Sequence, residues 1–336
     1  MHTRSFTNRV LLILTILIVA FNSQEVKAYN PPVAPADTFY AVDNWNTTVA
    51  FNGANRKLAY RIGYNADQGN YYSYIILAFG RQFKHSSQGW GVDLAGTNGG
   101  FKSEQWVKDV ANAFISGFAA NPAHDLIQRD VRLIVGTSNG NEAWQCNNAT
   151  NQISADWNIA GQRWGNVVKG IPDKGAIYVR GGNDIESWDD SFTSGWTACG
   201  AGAVSWMNGY FTNTTRNHYN FGSNAYIELP TQWTQAQLYN VSYGLPYAYT
   251  IPLMYCASQA PGWVSMRQTY SSLRFDGVTS ENAAHLTCTV NGTQVLSLSW
   301  EASWTTFNNA LNNAGYPNIL LNSVSSFCYV AGSCSP

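Results

Sequence analysis

"AIYVRGGNDIESW", residues 176–188, holds the pattern on which the predicted fold and the predicted site both rest. Its first half is apolar and β-branched, which is typical of a buried strand, and two glycines then lead to Asp184 and Glu186. Residues two apart on an extended chain point to the same face, about 6.5–7 Å apart. We therefore expect both carboxylates to face the same way while Ile185 packs in the opposite direction.

Segments that suit strands alternate with segments that suit helices along most of the chain. Apolar, β-branched runs lie at 38–45, 72–80, 131–139, 176–184, 218–226, 248–256, 272–280 and 295–300. Helical patterning lies at 103–119, 155–170, 203–211, 231–243 and 303–315. Ser103 suits a helix N-cap and Gly315 a helix C-cap. This order predicts parallel strands in a TIM-like (β/α)8 barrel, and a doubly wound α/β sheet is the alternative.

The first 28 residues are typical of a signal peptide. Arg4 and Arg9 give a positive start, and the apolar run at 10–21 is shorter than the roughly 20 residues that a membrane span needs. Cleavage is expected after about Ala28, so the protein is predicted to be secreted. Residues 29–37 are Pro-rich and read as an N-terminal arm, and residues 38–336 as a single barrel domain.

Charge and motifs exclude several classes of function. Removal of the first 28 residues leaves 16 basic and 19 acidic residues, a net charge of −3. There is no basic stripe, so a nucleic-acid partner is not expected. No histidine pair has the spacing of a metal-binding motif, and no phosphate-binding glycine loop occurs. The sequence therefore predicts no metal and no cofactor.

An even number of cysteines in an exported chain suggests disulfides. The six are Cys146, Cys199, Cys256, Cys288, Cys328 and Cys334. Three bonds among six cysteines allow 15 pairings. We favour pairing between sequence neighbours, which would join loops at one rim of a barrel.

The carboxylates at 184 and 186 have two interpretations. Glycoside hydrolysis needs one protonated acid and one charged carboxylate, and two acids placed close together raise one pKa. The simpler interpretation is a polar turn in which Asp184 bonds its own backbone. Aromatic residues make 14% of the chain, and Trp45 and Trp188 could stack on sugar rings near the rim. The residues themselves leave both interpretations open.

Two motifs resemble a known class of enzyme. An acid followed closely by Trp in "YAVDNW" (Asp43), and the D-x-E of "GGNDIE", resemble glycoside hydrolase barrels of the family 25 lysozyme type. Family 18 chitinase-like barrels share the D-x-E ending more distantly. The resemblance implies cleavage of a β-linked glycan of peptidoglycan or chitin type, with Glu186 as proton donor and Asp184 assisting. Asp43 would position the substrate. Family 25 members usually have a small residue where Asn44 stands here.

Position along the chain predicts further contacts with the substrate. Asn183 and Asp276 join Asp43, Trp45 and Trp188 as predicted substrate contacts. Glu281 is interpreted as an acid near a helix N-terminus.

Two other functions stay open. Ser138 lies in "GTSNG", a G-x-S-x-G pattern followed by Asp276 and His285, which would suit a serine esterase; a plain turn is the simpler interpretation. A non-catalytic, secreted glycan-binding barrel is the other alternative.

Overall fold

A computed structural model describes residues 36–39, 59–60, 62–64, 72–93, 100–124, 130–138, 145–147, 156–186, 196–198, 200–222, 233–281, 287–290, 293–296 and 298–328. The strands are β1 (Ala36–Phe39), β2 (Tyr72–His85), β3 (Gly89–Asp93), β4 (Phe101–Ser103), β5 (Asp130–Ser138), β6 (Gln145–Asn147), β7 (Ile177–Asp184), β8 (Trp196–Ala198), β9 (His218–Asn220), β10 (Ala248–Thr250), β11 (Val278–Glu281), β12 (Thr287–Val290), β13 (Thr293–Leu296) and β14 (Val324–Cys328). The α-helices are α1 (Glu104–Ala120), α2 (Asp156–Lys169), α3 (Gly200–Asn213), α4 (Gln235–Tyr239), α5 (Ala260–Thr269) and α6 (Trp300–Asn313). A π-helical turn (Asn240–Gly244) follows α4, and a 3₁₀ turn (Ala257–Gln259) precedes α5.

Eight of these strands form a parallel sheet in the order β10-β9-β7-β5-β2-β1-β14-β11. Apart from β1 and β14, the first and last of the eight along the chain, neighbours in the sheet follow one another in sequence, as expected for strands joined by crossovers. Strands β3 and β4 extend antiparallel from β2. Two small antiparallel pairs, β12–β13 and β6–β8, lie apart from the parallel sheet.

The two end strands of the parallel sheet also contact each other. The Asp276 N–H donates to the Thr250 carbonyl at 2.9 Å, and the Thr279 N–H donates to the Pro252 carbonyl at 2.9 Å. The Met254 N–H donates in turn to the Thr279 carbonyl at 2.8 Å. The architecture is thus a mixed α/β fold with a mostly parallel central sheet, compatible with a TIM-like barrel.

The parallel sheet buries side chains on two different faces. The outer face packs against the helices; Ile75, Leu133 and Val179 belong to it. The inner face is a separate buried cluster made only of side chains from strands or from residues directly after them: Tyr74, Ile76, Ala78, Ile134, Tyr219, Phe221 and Ile251. Residues alternate between the faces along each strand, as the pleat requires.

Most predicted elements are confirmed, and some are wrong. Ser103 caps α1, its Oγ accepting from the Trp106 N–H at 3.2 Å, and Gly315 follows α6 with φ of +85°. The segment at 295–300 is not a parallel strand: its first two residues belong to the β13 hairpin, and Trp300 starts α6. The eighth parallel strand is β14, which the sequence analysis missed. It also missed α5.

The described residues bear in part on three other predictions: the start of the domain, the disulfides and the lack of a membrane span. Strand β1 begins at Ala36, two residues before the predicted start of the domain. Cys256 is disulfide-bonded, and the other five cysteine side chains lie outside the described residues, so the pairings stay predictions. Within the described ranges, no helix is long and apolar enough to cross a membrane.

Glycines allow α2 and α3 to pack closely. A Cβ at position 161 would lie 1.8 Å from the Trp206 carbonyl oxygen, and one at position 209 would lie 2.0 Å from the Asn158 carbonyl oxygen. These contacts are with backbone atoms, which cannot rotate away as a flexible side chain would. The two helices therefore touch backbone to backbone.

His218 on β9 is fully buried between the sheet and α3. The ring centroids of Trp206, Tyr210 and Phe211 lie 5.4, 5.1 and 6.5 Å from the imidazole. Neither ring nitrogen has a hydrogen-bond partner in the described part of the chain. Burial lowers the pKa of His218 from 6.5 to about 3, because the charged ring would lose its hydration.

Gly161→Ala should lower the free energy of unfolding by about 2 kcal/mol or more, because α2 and α3 must separate to admit the methyl group. Urea denaturation measures the change. Asn208→Ala, at an exposed position of α3, is the control and should change stability by less than about 0.5 kcal/mol. Equal stability of the Gly161 variant and the wild type would contradict the close packing.

His218→Phe should weaken the pH dependence of stability. Below pH 6.5 the unfolded chain takes up a proton that the folded chain refuses until about pH 3, so acid destabilises the wild type through this residue. The variant should lose a slope of up to about 1.4 kcal/mol per pH unit between pH 6 and 4. Phe211→Leu disturbs the same cluster but keeps the imidazole, and should retain the slope. Matching slopes for wild type and His218→Phe would disprove the assignment.

Candidate functional site

Strand β7 carries Asp184 to the C-terminal edge of the parallel sheet, on its inner face. Ile177 and Val179 pack in the outer cluster, whereas a Cβ at Gly182 would lie 2.3 Å from Ile134 Cγ2, in the inner cluster. Alternation then places Asp184, two residues after Gly182, on the inner face. The side chain is 7% exposed.

The neighbouring strands add a hydroxyl and a cation to the same edge. Ser138, the last residue of β5, pairs with Asp184, and Arg81 on β2 pairs with Ser138. The register shifts between Ala78 and Arg81, around Gly80 with φ of +71°. After this bulge the Gln82 side chain lies on the outer face, where it donates to the Ala160 carbonyl and accepts from Trp206 Nε1. Because neighbouring residues on a strand point to opposite faces, Arg81 points inward.

Residues after Asp184 confirm part of the predicted geometry. Ile185 is 1% exposed and packs in the outer cluster, on the face opposite to Asp184, as predicted from the alternation of side chains along a strand. Glu186 lies beyond the end of β7 and is half-buried. Asn183 is buried on the face opposite to Asp184, so the structure does not bring this predicted substrate contact to the same face.

Buried hydrogen bonds hold the turn after β7. The Asn220 Oδ1 accepts from the N–H groups of Ile185 at 3.4 Å and Gly222 at 3.0 Å. The Asn220 Nδ2 donates to Ser242 Oγ at 3.0 Å. A Cβ at Gly222 would lie 2.1 Å from the Ile185 carbonyl oxygen, so only glycine fits there. The backbone that carries the two acids is therefore fixed against β9.

A hydrophobic floor lies directly below Asp184. The Phe221 ring occupies the space that side chains at Gly136 and Gly182 would need: their Cβ atoms would lie 2.6 and 2.9 Å from its ring carbons. Ile134 and Ile251 belong to the same buried layer. This layer separates the C-terminal edge from the other half of the inner face.

Glu281 is a further acid at this edge that the sequence analysis misplaced. It was interpreted as part of a helix N-terminus, but Val278–Glu281 is a strand, and Glu281 is its last residue. The strand runs parallel to β14, pairing Glu281 with Phe327. Because all eight strands are parallel, Glu281 and Asp184 end their strands at the same edge. The VTSE pattern of a short β-branched run ending in an acid was the available signal.

Asp276 lies at the other end of the sheet. Its Oδ2 accepts from Tyr74 Oη at 3.1 Å and lies 3.5 Å from Arg132 Nη1, and Arg132 also donates to Tyr74 Oη. Tyr74 and Arg132 are the third residues of β2 and β5. The structure therefore does not bring Asp276 together with Asp184.

Burial and neighbouring groups act in opposite directions on the pKa of Asp276 and on that of Arg132. Burial raises the pKa of Asp276, although Arg132 and Tyr74 lower it in part. Burial also lowers the pKa of Arg132, but the neighbouring Tyr74, Tyr219 and Asp276 outweigh it and raise the pKa overall. The net shifts favour the protonated form of both partners. The arginine is therefore the group that stays charged, and the carboxylate is only partly compensated for its lost hydration.

The esterase arrangement is not assembled by the described residues. Ser138 ends β5 at the C-terminal edge, and Asp276 lies at the opposite end. The next described element after Ser138 is the strand β6, whereas a nucleophile elbow leads into a helix. His285 lies outside the described residues, as do Asp43, Trp45 and Trp188, whose predicted roles stay predictions. Within the described chain, no group of three or more His, Cys, Asp or Glu side chains is placed to hold a metal ion.

No family model matches this sequence, families 25 and 18 included, and no curated protein matches it either. Among solved structures, wild-type ZgEngAGH5_4, a family 5 glycoside hydrolase endoglucanase, is similar over 88% of this chain and 87% of that chain. The TM-score is 0.42 and the sequence identity is 9%. A likeness of this size transfers no activity and no residue role to the present chain.

Asp276→Asn should lower the free energy of unfolding at pH 7 by about 1–3 kcal/mol, because it leaves Arg132 without its counter-charge in a mostly buried position. The side chains are 27% and 14% exposed, so solvent reduces the loss below that of a fully buried pair. Asp156→Asn, in the exposed pair with Lys84, should cost less than about 1 kcal/mol. A loss no larger than that of the control would show that the network contributes nothing.

Proposed function

We propose that this chain is a secreted, glycoside hydrolase-like protein that cleaves a β-linked glycan at the C-terminal edge of its parallel strands. The eight parallel strands would form a closed TIM-like barrel, with the hydrogen bonds between Thr250, Pro252, Asp276 and Thr279 as its seam. In such barrels, active sites lie at the C-terminal ends of the strands. The glycan would be of peptidoglycan or chitin type, as the D-x-E resemblance implies.

The observation that carries this proposal is the position of Asp184. It is an acid at the end of a central parallel strand, on the inner face, above a closed hydrophobic floor. Ser138 pairs with it in register, and Arg81 pairs with Ser138 on the next strand. A buried carboxylate costs free energy that a purely structural turn at the surface would not require. This arrangement suits a group that must meet a substrate from which water is excluded.

The roles follow from the environments of the acids. Arg81 lies two strands from Asp184 at the same edge and adds positive charge there. Asp184 would act as the carboxylate that stabilises the developing positive charge at the sugar. Glu186, half-buried beyond the strand end, would donate the proton to the leaving oxygen. Glu281, at the same edge on another strand, is the second candidate for either role.

Export is part of the proposal. The charged start, the apolar run at 10–21 and the cleavage-site-like segment Val26-Lys27-Ala28 support removal of a signal peptide. N-terminal sequencing of the protein recovered from the medium of the native host would give a start close to residue 29, whereas a retained Met1 in secreted material would contradict it.

The decisive experiment compares single acid substitutions on a panel of β-linked glycans, with reducing-end release as the readout. Asp184→Asn and Glu186→Gln should each lower kcat by about 10²–10⁴-fold, because each removes a group that acts on the scissile bond. Glu281→Gln tests the alternative acid. Glu301→Gln, an exposed acid in the first turn of α6, is the control and should keep full activity.

The outcomes separate the candidate functions. If Glu281→Gln abolishes turnover and Glu186→Gln does not, the proton donor is misassigned but glycan hydrolysis stands. If the wild type binds glycans and releases no reducing ends from any of them, the protein is a glycan-binding barrel without catalysis. Unchanged turnover in both Asp184→Asn and Glu186→Gln would reject the site.

A further inference from the structure

The inner face changes character towards the N-terminal ends of the strands. Barrel interiors are usually filled by branched aliphatic side chains. Here the inner face also carries tyrosines and arginines: Tyr74, Arg132, Tyr178, Arg180, Tyr219 and Tyr249. The Tyr219 ring lies 5.3 Å from that of Tyr74 and 5.4 Å from that of Tyr249. The rings therefore form a continuous aromatic layer.

Arg132 and Arg180 are neighbours on this layer but differ in charge balance. Arg132 pairs in register with Tyr178, and Ile134 pairs with Arg180, so the arginines occupy diagonal positions on β5 and β7. Arg132 has a counter-charge in Asp276, at 3.5 Å. Arg180 donates from Nη1 to the Val179 carbonyl at 2.9 Å and stacks 5.3 Å over the Tyr178 ring.

Arg180 has no carboxylate within ion-pair distance among the described residues. Its Nε is buried and has no hydrogen-bond partner there. A partly buried guanidinium is normally paired, because its lost hydration must be replaced. Arg180 thus supplies an uncompensated positive charge and an unused N–H donor on the inner face.

Arg180 is half-buried, and apolar side chains fill the space on its C-terminal side. On the same strand and face the next residue is Gly182, whose side-chain space is occupied by Ile134 and Phe221, both fully buried. Tyr178 and Tyr249, half-buried, lie on the open side. A ligand of this guanidinium would therefore approach from the end opposite to Asp184.

We propose that Arg180 and Arg132 form a second binding site, for an oxyanion, at the N-terminal end of the parallel strands. A planar guanidinium with free N–H groups binds the two oxygens of a carboxylate, phosphate or sulfate in parallel hydrogen bonds. Tyr178 and Tyr249 would contact the carbon atoms of a ligand that bears the anion. This site is independent of glycan cleavage at the other end.

Two probes separate the sources of the anion, and thermal unfolding reports binding. Inorganic phosphate tests a free anion, and glucuronate tests an acidic sugar, with glucose as its neutral match and sodium chloride at equal ionic strength as the salt control. Phosphate or glucuronate should raise the Tm of the wild type, as any ligand selective for the folded state does. The stronger probe identifies the source.

Arg180→Gln should weaken the binding of the active probe at least tenfold. Arg163→Gln carries the same charge change at a surface pair with Glu104 and should bind as the wild type does. Arg180→Lys keeps the charge but loses the paired donors, so its affinity should lie between the two.

A chemical measurement on the wild type covers the case in which Arg180→Gln does not fold. Phosphate or glucuronate should slow modification of Arg180 by phenylglyoxal, followed by mass spectrometry, and leave modification of Arg163 unchanged. The proposal is overturned if neither probe raises Tm beyond the salt control, if Arg180→Gln binds with unchanged affinity, or if Arg180 is not protected.

Discussion

The hydrogen bonds between the segment after β10 and the strand β11 join the two ends of the parallel sheet. The buried inner face depends on this contact, because its cluster contains no helix side chain that could cover it. Each large apolar side chain kept from water there contributes about 1.5–3 kcal/mol. With the sheet ends apart, Phe221 and Ile251 would lose this burial. The position of Asp184 above that layer depends on the same contact.

Much of the fold could be predicted from the sequence because strongly periodic segments determine it. Helices α1 and α2 have apolar residues on one face, and β5 and β7 are rich in Ile, Val and Leu. Strand β14 could not be found this way, since its sequence VSSFC has two serines and reads as a loop. Only its pairing with β1 and β11 makes it a strand. Helix α5 was hidden by Pro261 and Gly262, although proline is tolerated in a first helical turn.

The site was predictable only where spacing fixes geometry. The separation of Asp184 and Ile185 onto two faces follows from the two-residue period of a strand. The inward direction of the Arg81 side chain could not be predicted from this period. It depends on a bulge at Gly80, where the register between β2 and β5 shifts. The separation of Asp276 from Asp184 was hidden for a similar reason. Its position before β11, at the N-terminal end, became visible only when the strand was seen to start at Val278.

Arg180 and Asp184 lie in different parts of strand β7, but their charges still interact. Arg180 and Asp184 are four residues apart on one face, about 13 Å along the strand. Two unit charges at that distance interact by about 1 kcal/mol at an effective dielectric constant of about 20. The partial exposure of Arg180 reduces this further. Since the Phe221 and Ile134 layer excludes water between them, the interaction is screened less than between surface charges. An oxyanion on Arg180 would therefore weaken the support for a charged Asp184 slightly, and by no more than this amount.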